Sequence, residues 1–159
     1  MVVDWVCNSW LDTPWMAGQR RQGVGVDCVN FATAVLDELA SVPTPTKLSR
    51  RPQDLGLHSS WQAGASAAFW EVSHVHDLRS VTVVDGVLEV QPGDLLVHRL
   101  GSDGGAGHVS VVAWKSPAVY QALTGSGVRL CAIPAPDKIM HAWRVQDRSK
   151  WNARLEVGP

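Results

Sequence analysis

The spacing of apolar residues changes about halfway along this chain, and that change limits the folds that the sequence can adopt. In residues 2–11, and again after Asp27, apolar side chains recur every three or four residues, which is typical of helices. From residue 80 onward the spacing is two, which is typical of strands. The predicted strand segments, the first of them a hairpin, are 80–90, 93–100, 108–114, 128–134 and 138–145. Helices followed by strands predict an α+β fold, with N-terminal helices packed on an antiparallel sheet of about five strands.

Composition limits the class of protein. The 159 residues suffice for one domain with its own core, so we expect a single domain over residues 1–159. The hydrophobic share of 45% argues against a disordered chain, and a net charge of -1 argues against a nucleic-acid partner. No apolar run approaches the roughly 20 residues of a membrane span, so no membrane insertion is expected.

Neither end-processing signals nor metal motifs stand out. The N-terminus, MVVDWVCNSWLDTPW, lacks the basic start and cleavage site of a secretory signal, so no signal peptide is expected. The cysteines are three, widely spaced and without a CxxC pair, which disfavours a disulfide framework or a structural zinc site. We expect Cys7 and Cys131 to be inert core residues. His74 and His76 lack a third ligand, so an exposed pair is favoured over a metal site, and no cofactor is expected.

Cys28 stands where the glycine-broken stretch GVGVD turns into an apolar helix, with Asp27 as a candidate N-cap. Unpaired N–H groups and the helix dipole stabilise a thiolate at that position, so we expect a lowered pKa. The alternative is a small buried hydrophobic residue, which is the usual role of a free cysteine. Position alone leaves the two interpretations about even.

A nucleophilic cysteine needs a base and a group that orients the base. His108 begins a predicted strand after GGAG, and His141 lies within IMHAW, another predicted strand. Neighbouring antiparallel strands would place both rings on one face of the sheet. His98 alternates with apolar residues, and a partly exposed structural histidine is the simpler interpretation of it. Cys28, His108 and His141 together favour catalysis.

Three stretches carry a resemblance to a known family: TPW with the glycine-rich loop and GVGVDC, then PGDLLVHRLGSDGGAGHVSVVA, then IMHAW. From Trp10 to about Val145 the chain resembles the NlpC family of papain-like cell-wall cysteine peptidases, especially the short members encoded with phage tail genes. The resemblance implies a compact papain-like fold, in which a helix headed by the cysteine packs on an antiparallel sheet.

The same resemblance implies roles for five residues. Cys28 matches the nucleophile, His108 the base and His141 the residue that orients the base. Asp27 matches an acidic residue that helps to hold the stem peptide, and Trp15 lies where many members have a substrate-side tyrosine.

Two features depart from the family pattern. Val29 and Asn30 follow the cysteine where the family usually has a small polar residue and glycine. Residues 115–137 are longer than the usual hairpin between the two histidines. If that segment displaces His141, Gln121 is the next candidate for the orienting group.

The function implied is hydrolysis of peptidoglycan stem peptides between D-glutamate and a diamino acid. The phage-tail likeness implies a protein made in the bacterial cytoplasm and carried in the virion at the tail tip, with other tail proteins as partners. Two alternatives stay open: an inactive structural tail-tip protein with the same fold, and an amidase or acyltransferase on the same scaffold.

Overall fold

The computed structural model describes residues 2–41, 76–81, 83–84, 87–99, 107–115, 117–149 and 151. Three parts of the sequence analysis lie outside these ranges: the helix predicted over residues 59–73, His74, and most of the C-terminal SKWNARLE stretch. The helices are α1 Val2–Ser9 and α2 Cys28–Ala40, and neither is long and apolar enough to cross a membrane. The strands are β1 Arg20–Arg21, β2 Gly25–Val26, β3 Leu78–Ser80, β4 Val83–Val84, β5 Val87–Leu88, β6 Leu95–Arg99, β7 Gly107–Val112, β8 Ala118–Leu123, β9 Gly127–Ala132 and β10 Ile139–Val145.

The main sheet has six strands in the order β3-β10-β6-β7-β8-β9, and every neighbouring pair is antiparallel. This confirms the predicted α+β class, with one strand more than the five expected. The hairpin predicted over residues 80–90 is present over a shorter range. Its β4 and β5 form a separate two-stranded ladder, while β3 joins the main sheet at its edge beside β10.

Strand β8 is absent from the sequence-based prediction. It pairs with β9 along its whole length, from Ala118 opposite Ala132 to Leu123 opposite Gly127. Residues 119–122 of β8 are all buried, so both faces of the strand are covered and the polar–apolar alternation that marks a half-exposed strand is missing. The strand lies inside the segment 115–137, for which the sequence predicted a strand only over residues 128–134.

Both faces of the sheet are covered by apolar residues. Helix α2 packs on β7 and β8, and α1 packs on α2. The helix-facing core includes the fully buried residues Phe31, Val35, Leu39, Val109 and Val111. A smaller cluster on the opposite face contains Leu96, Val112, Val119 and Ala142.

An ion-pair cluster of Asp94, Arg144 and Arg148 links the start of β6 to β10 and to the segment that follows β10. The fully buried Asp94 carboxylate accepts from Arg144 Nη2 at 2.8 Å and from Arg148 Nη2 at 2.6 Å. Gly93, at φ +82°, packs so tightly that an added Cβ would lie 2.6 Å from the Trp151 ring. The Pro-Gly-Asp turn before β6 therefore has a structural role at this end of the sheet.

Candidate active site

Asp27 caps the helix that Cys28 begins, as the sequence predicted. Its Oδ1 accepts from the Asn30 backbone N–H at 2.8 Å, which is the expected N-cap bond. Its Oδ2 accepts from Asn30 Nδ2 at 2.8 Å and from the Gly18 N–H at 2.7 Å. Both carboxylate oxygens are therefore engaged inside the chain, and Asn30, which departs from the family pattern, completes the cap. A role for Asp27 in substrate binding stays a prediction.

Trp15 lies in the segment that runs beside the strand leading to Cys28. It forms an isolated bridge with Val26, flanked by hydrogen bonds from the Met16 N–H to the Val26 carbonyl and from the Val26 N–H to the Pro14 carbonyl. The half-buried indole packs against the same core cluster that contains Cys28. Its predicted contact with substrate stays a prediction.

The start of α2 meets the start of β7, and this contact places Cys28 next to His108. The backbone N–H of Val109, the residue after His108, hydrogen-bonds to the Cys28 thiol. Strand β7 pairs with β8 only at Val111 and Val112, so the two strands diverge towards the end that carries His108. Because a strand N–H points along the plane of its sheet, the thiol lies at the diverging edge of β7, beside the backbone of His108.

Burial controls the charge of Cys28. The side chain is fully buried, and this desolvation raises the pKa of the thiol to about 12. The N–H groups of Val109, Val29 and Cys28 itself lower the pKa, while the Asp27 carboxylate raises it. The expectation of a lowered pKa is therefore wrong for this structure, because loss of solvation outweighs the N–H groups at the helix start.

Burial also keeps His108 uncharged. The residue is 4% exposed, and desolvation lowers the pKa of its imidazole to about 3. The nearby His98 lowers this pKa further, whereas the side chain of Gln121 raises it. The thiol of Cys28 and the imidazole of His108 are therefore both uncharged at neutral pH.

Gln121 on β8 lies beside His108. It follows Tyr120, which pairs with Val111 on the helix-facing side, so strand alternation turns Gln121 to the other face, with Ser110 and His108. The Gln121 side chain is 7% exposed, and its Oε1 has no hydrogen-bond partner among the residues that the structure describes. An unpartnered buried acceptor therefore stands next to the candidate base. The sequence signal for it is the single amide in the apolar run AVYQAL.

His141 does not lie beside His108. It is on β10, where it pairs with Val97 of β6, and β6 separates β10 from β7. Two strand spacings amount to about 10 Å. The His141 side chain is exposed, with its ring 6.4 Å from that of Trp143. The expected adjacency fails because β8, not β10, is the second neighbour of β7.

Two other histidines differ from the sequence-based expectations. His98 is 2% exposed rather than partly exposed, and it stands directly opposite His108. His76 is buried, and its Nε2 lies 2.7 Å from Asp37 Oδ1, so it is not solvent-exposed. Among the residues that the structure describes, no three metal-ligating side chains form a group. Cys7 is fully buried and Cys131 half-buried.

Comparison with known proteins supports the fold. No protein-family model and no curated protein matches the sequence. One similar structure is the NlpC/p60 domain of the peptidoglycan hydrolase SagA, with TM-score 0.51 and 18% identity over 90% of this chain and 96% of that one. An NLP/P60 family protein of Staphylococcus aureus, described as similar to lipoprotein, has TM-score 0.51 and 19% identity. An NlpC/P60 family protein of Bacillus cereus has TM-score 0.56 and 16% identity. The matches to the S. aureus and B. cereus proteins each cover 91% of this chain, and this chain spans only 40% of each of those two longer proteins. The chain therefore has the NlpC/P60 fold that the sequence resemblance implied.

Proposed function

We propose that this chain is a cysteine peptidase that hydrolyses peptidoglycan stem peptides. The observation that carries the proposal is the meeting of Cys28, at the start of α2, with the His108 end of β7, next to the buried Gln121. Cys28 acts as the nucleophile, His108 as the base and Gln121 as the orienting residue. The similarity of the fold to NlpC/P60 domains, among them that of a peptidoglycan hydrolase, supports this choice of substrate.

The first chemical step forms the tetrahedral intermediate that precedes the thioester. The Cys28 thiol gives its proton to His108 while the sulfur attacks the carbonyl carbon of the scissile amide. Negative charge then develops on the carbonyl oxygen. The backbone N–H groups of Cys28 and Val29 lie against the sulfur at the helix start, where they can donate to that oxygen.

The second step releases the amine and then the acid. His108 returns the proton to the leaving amine as the C–N bond breaks, which leaves a thioester on Cys28. His108 next takes a proton from water while the water oxygen attacks the thioester carbon. As the C–S bond breaks, His108 returns that proton to sulfur, which releases the acid product and restores the Cys28 thiol. Oε1 of Gln121, which lacks a partner at rest, accepts from the imidazolium whenever His108 carries the proton.

We further propose that the bond cut lies between D-glutamate and the diamino acid of the stem, a choice supported by the family resemblance. Incubation with purified sacculi, followed by mass spectrometry of the released peptides, tests it. The expected products carry a new free amino group on the diamino acid, and Cys28→Ala releases none. Products cut at the junction of glycan and peptide would instead establish an amidase.

A structural tail-tip protein with the same fold is the second candidate. The observation that favours it is the complete burial of Cys28, since a nucleophile must reach its substrate. Release of no peptide from sacculi by the folded wild-type protein, at any pH between 5 and 9, would establish this alternative over the hydrolase.

We also propose that the protein is carried in a phage virion, as a component of the tail tip. The support is the resemblance of its sequence to the short phage-tail-encoded members of the family. Mass spectrometry of virions purified by density gradient should detect the chain at constant stoichiometry with the tail proteins. Its presence only in lysate fractions free of virions would contradict the proposal.

A further inference from the structure

His98 has no part in the mechanism above, yet its ring lies against that of the candidate base. The two residues are directly opposite each other in the antiparallel pair β6–β7. Their ring centroids are 5.2 Å apart, and the ring planes meet at 74°, which is an edge-to-face arrangement. Aromatic pairs favour this geometry, so the pairing restricts the orientation of the His108 ring.

The environment of His98 also keeps it uncharged. It is 2% exposed, and burial lowers the pKa of its imidazole. Its Nδ1 lies 3.4 Å from the Arg99 carbonyl, a weak contact, while its buried Nε2 has no hydrogen-bond partner within the described part of the chain. A buried imidazole without a partner for one nitrogen is costly, so a further role for this side chain is to be expected.

We propose that His98 is a positioning residue for His108: its ring packs edge-to-face on the ring of the base and holds it in one orientation. The inference rests on the proposed function, because only catalysis requires His108 to take a proton. Two imidazolium ions 5.2 Å apart in a buried site repel strongly, so one of the rings must stay neutral. A neutral His98 ring can also stabilise the adjacent imidazolium through its π electrons.

The described residues around His98 add no competing charge. On its own strand, the Arg99 side chain is on the other face and exposed. From β7 the titratable neighbour is His108, and β10 places the apolar Ile139 opposite His98. Gln121 of β8, on the same face as His108, is uncharged. In the part of the chain that the structure describes, His108 is thus the ionisable group that His98 faces.

Two variants separate the ring from its nitrogens. His98→Ala removes the ring, and we expect kcat on muropeptides to fall about ten- to a hundredfold with KM nearly unchanged, because the base loses its alignment. His98→Phe keeps an aromatic ring but cannot be protonated. We expect it to keep most of the kcat and to move the NMR titration midpoint of His108 to higher pH, because no His98 imidazolium can form beside His108 as the pH falls. Ile139→Val is the matched control: it alters packing on the other side of His98 and should change neither value.

The two readouts distinguish the failure of this inference from the failure of the proposed function. If folded His98→Ala keeps the wild-type kcat, or if His98→Phe leaves the His108 midpoint unmoved, the positioning role is overturned. If the wild-type protein cuts no peptidoglycan while the midpoint still moves in His98→Phe, the peptidase proposal fails and the coupling between the two rings stands. Circular dichroism at each pH shows that the variants are folded.

Discussion

At neutral pH, the Cys28 thiol keeps its proton and the His108 imidazole stays uncharged. Burial drives their pKa values apart, to about 12 and about 3, because each group is more stable uncharged in a dry environment. Moving the proton from sulfur to nitrogen creates two charges that attract each other at short range. The donors from the helix start and from Gln121 then become important, since they stabilise the thiolate or the imidazolium only once it forms.

The first prediction concerns the reactivity of Cys28. Because the thiolate is the reactive form and the folded-state pKa is raised, we expect iodoacetamide to label Cys28 slowly between pH 6 and pH 8. Labelling should accelerate as the pH rises towards 10, and the half-buried Cys131 should react faster throughout. Peptide mapping of timed samples measures both rates.

His108→Ala is the control for that experiment. A neutral pair predicts little change in the labelling of Cys28 at pH 6 when His108 is replaced. Rapid labelling at pH 6 that His108→Ala abolishes would instead reveal a resting thiolate–imidazolium pair, and the neutral resting state would be wrong.

The second prediction decides between Gln121 and His141 as the orienting residue. We expect His108→Ala to lower kcat about a thousandfold or more, because the base acts in both chemical steps. Gln121→Ala should lower kcat about ten- to a hundredfold, with Gln121→Asn less affected. His141→Ala should stay within about twofold of the wild type, since its exposed ring lies two strands from His108. The reverse ranking, with folded variants, would restore His141 to the site.

At the scale of elements, the sequence predicted those parts of the site that have local signals. The cap at Asp27 and the glycines before it mark the start of α2, and the alternation in HVSVV marks β7. Strand β8 has no such signal, because residues on both of its faces are buried and its pattern resembles that of any apolar run. The expected adjacency of His141 and His108 failed with it, since strand order in an antiparallel sheet depends on how many strands intervene. Gln121 was available from the sequence only as the next candidate.

The third prediction concerns the contact between the loop before Cys28 and strand β9. Gly127 has φ +72°, and a Cβ added there would lie 2.4 Å from the Thr13 carbonyl oxygen, which accepts from the Val128 N–H. Gly127→Ala should therefore lower the free energy of unfolding by about 2–3 kcal/mol through backbone strain and overlap. Gly125→Ala is the matched control, because φ is +79° and nothing lies within 4 Å, so a loss of about 1 kcal/mol is expected. Urea denaturation measures both, and equal losses would show that the close approach to Thr13 costs nothing.

At the scale of the whole molecule, strands β6 and β7 run between the candidate active site and the ion-pair cluster. One end of the pair carries His98 and His108, and the other end carries the ion-pair cluster of Asp94, Arg144 and Arg148. The four residue steps from Asp94 to His98 span about 13 Å of strand. The ion pairs of Asp94 thus lie at the end of β6 away from the site, and at the site itself Nε2 of His98 and Oε1 of Gln121 have no hydrogen-bond partner among the described residues.

The fourth prediction follows from that separation. Asp94→Asn removes the buried charge that compensates Arg144 and Arg148, and we expect it to lower the free energy of unfolding by about 3–5 kcal/mol, the usual cost of breaking a buried pair. Asp12→Asn is the control: it breaks an ion pair with Arg129 in which the Asp12 side chain is 80% exposed, so a loss below about 1 kcal/mol is expected. Urea denaturation gives both values.

At a temperature where Asp94→Asn is still folded, its kcat per folded molecule should match the wild type, because the catalytic end of β6 and β7 is untouched. A folded Asp94→Asn protein with a much lower kcat would show that the ion-pair cluster and the site are coupled along the strands.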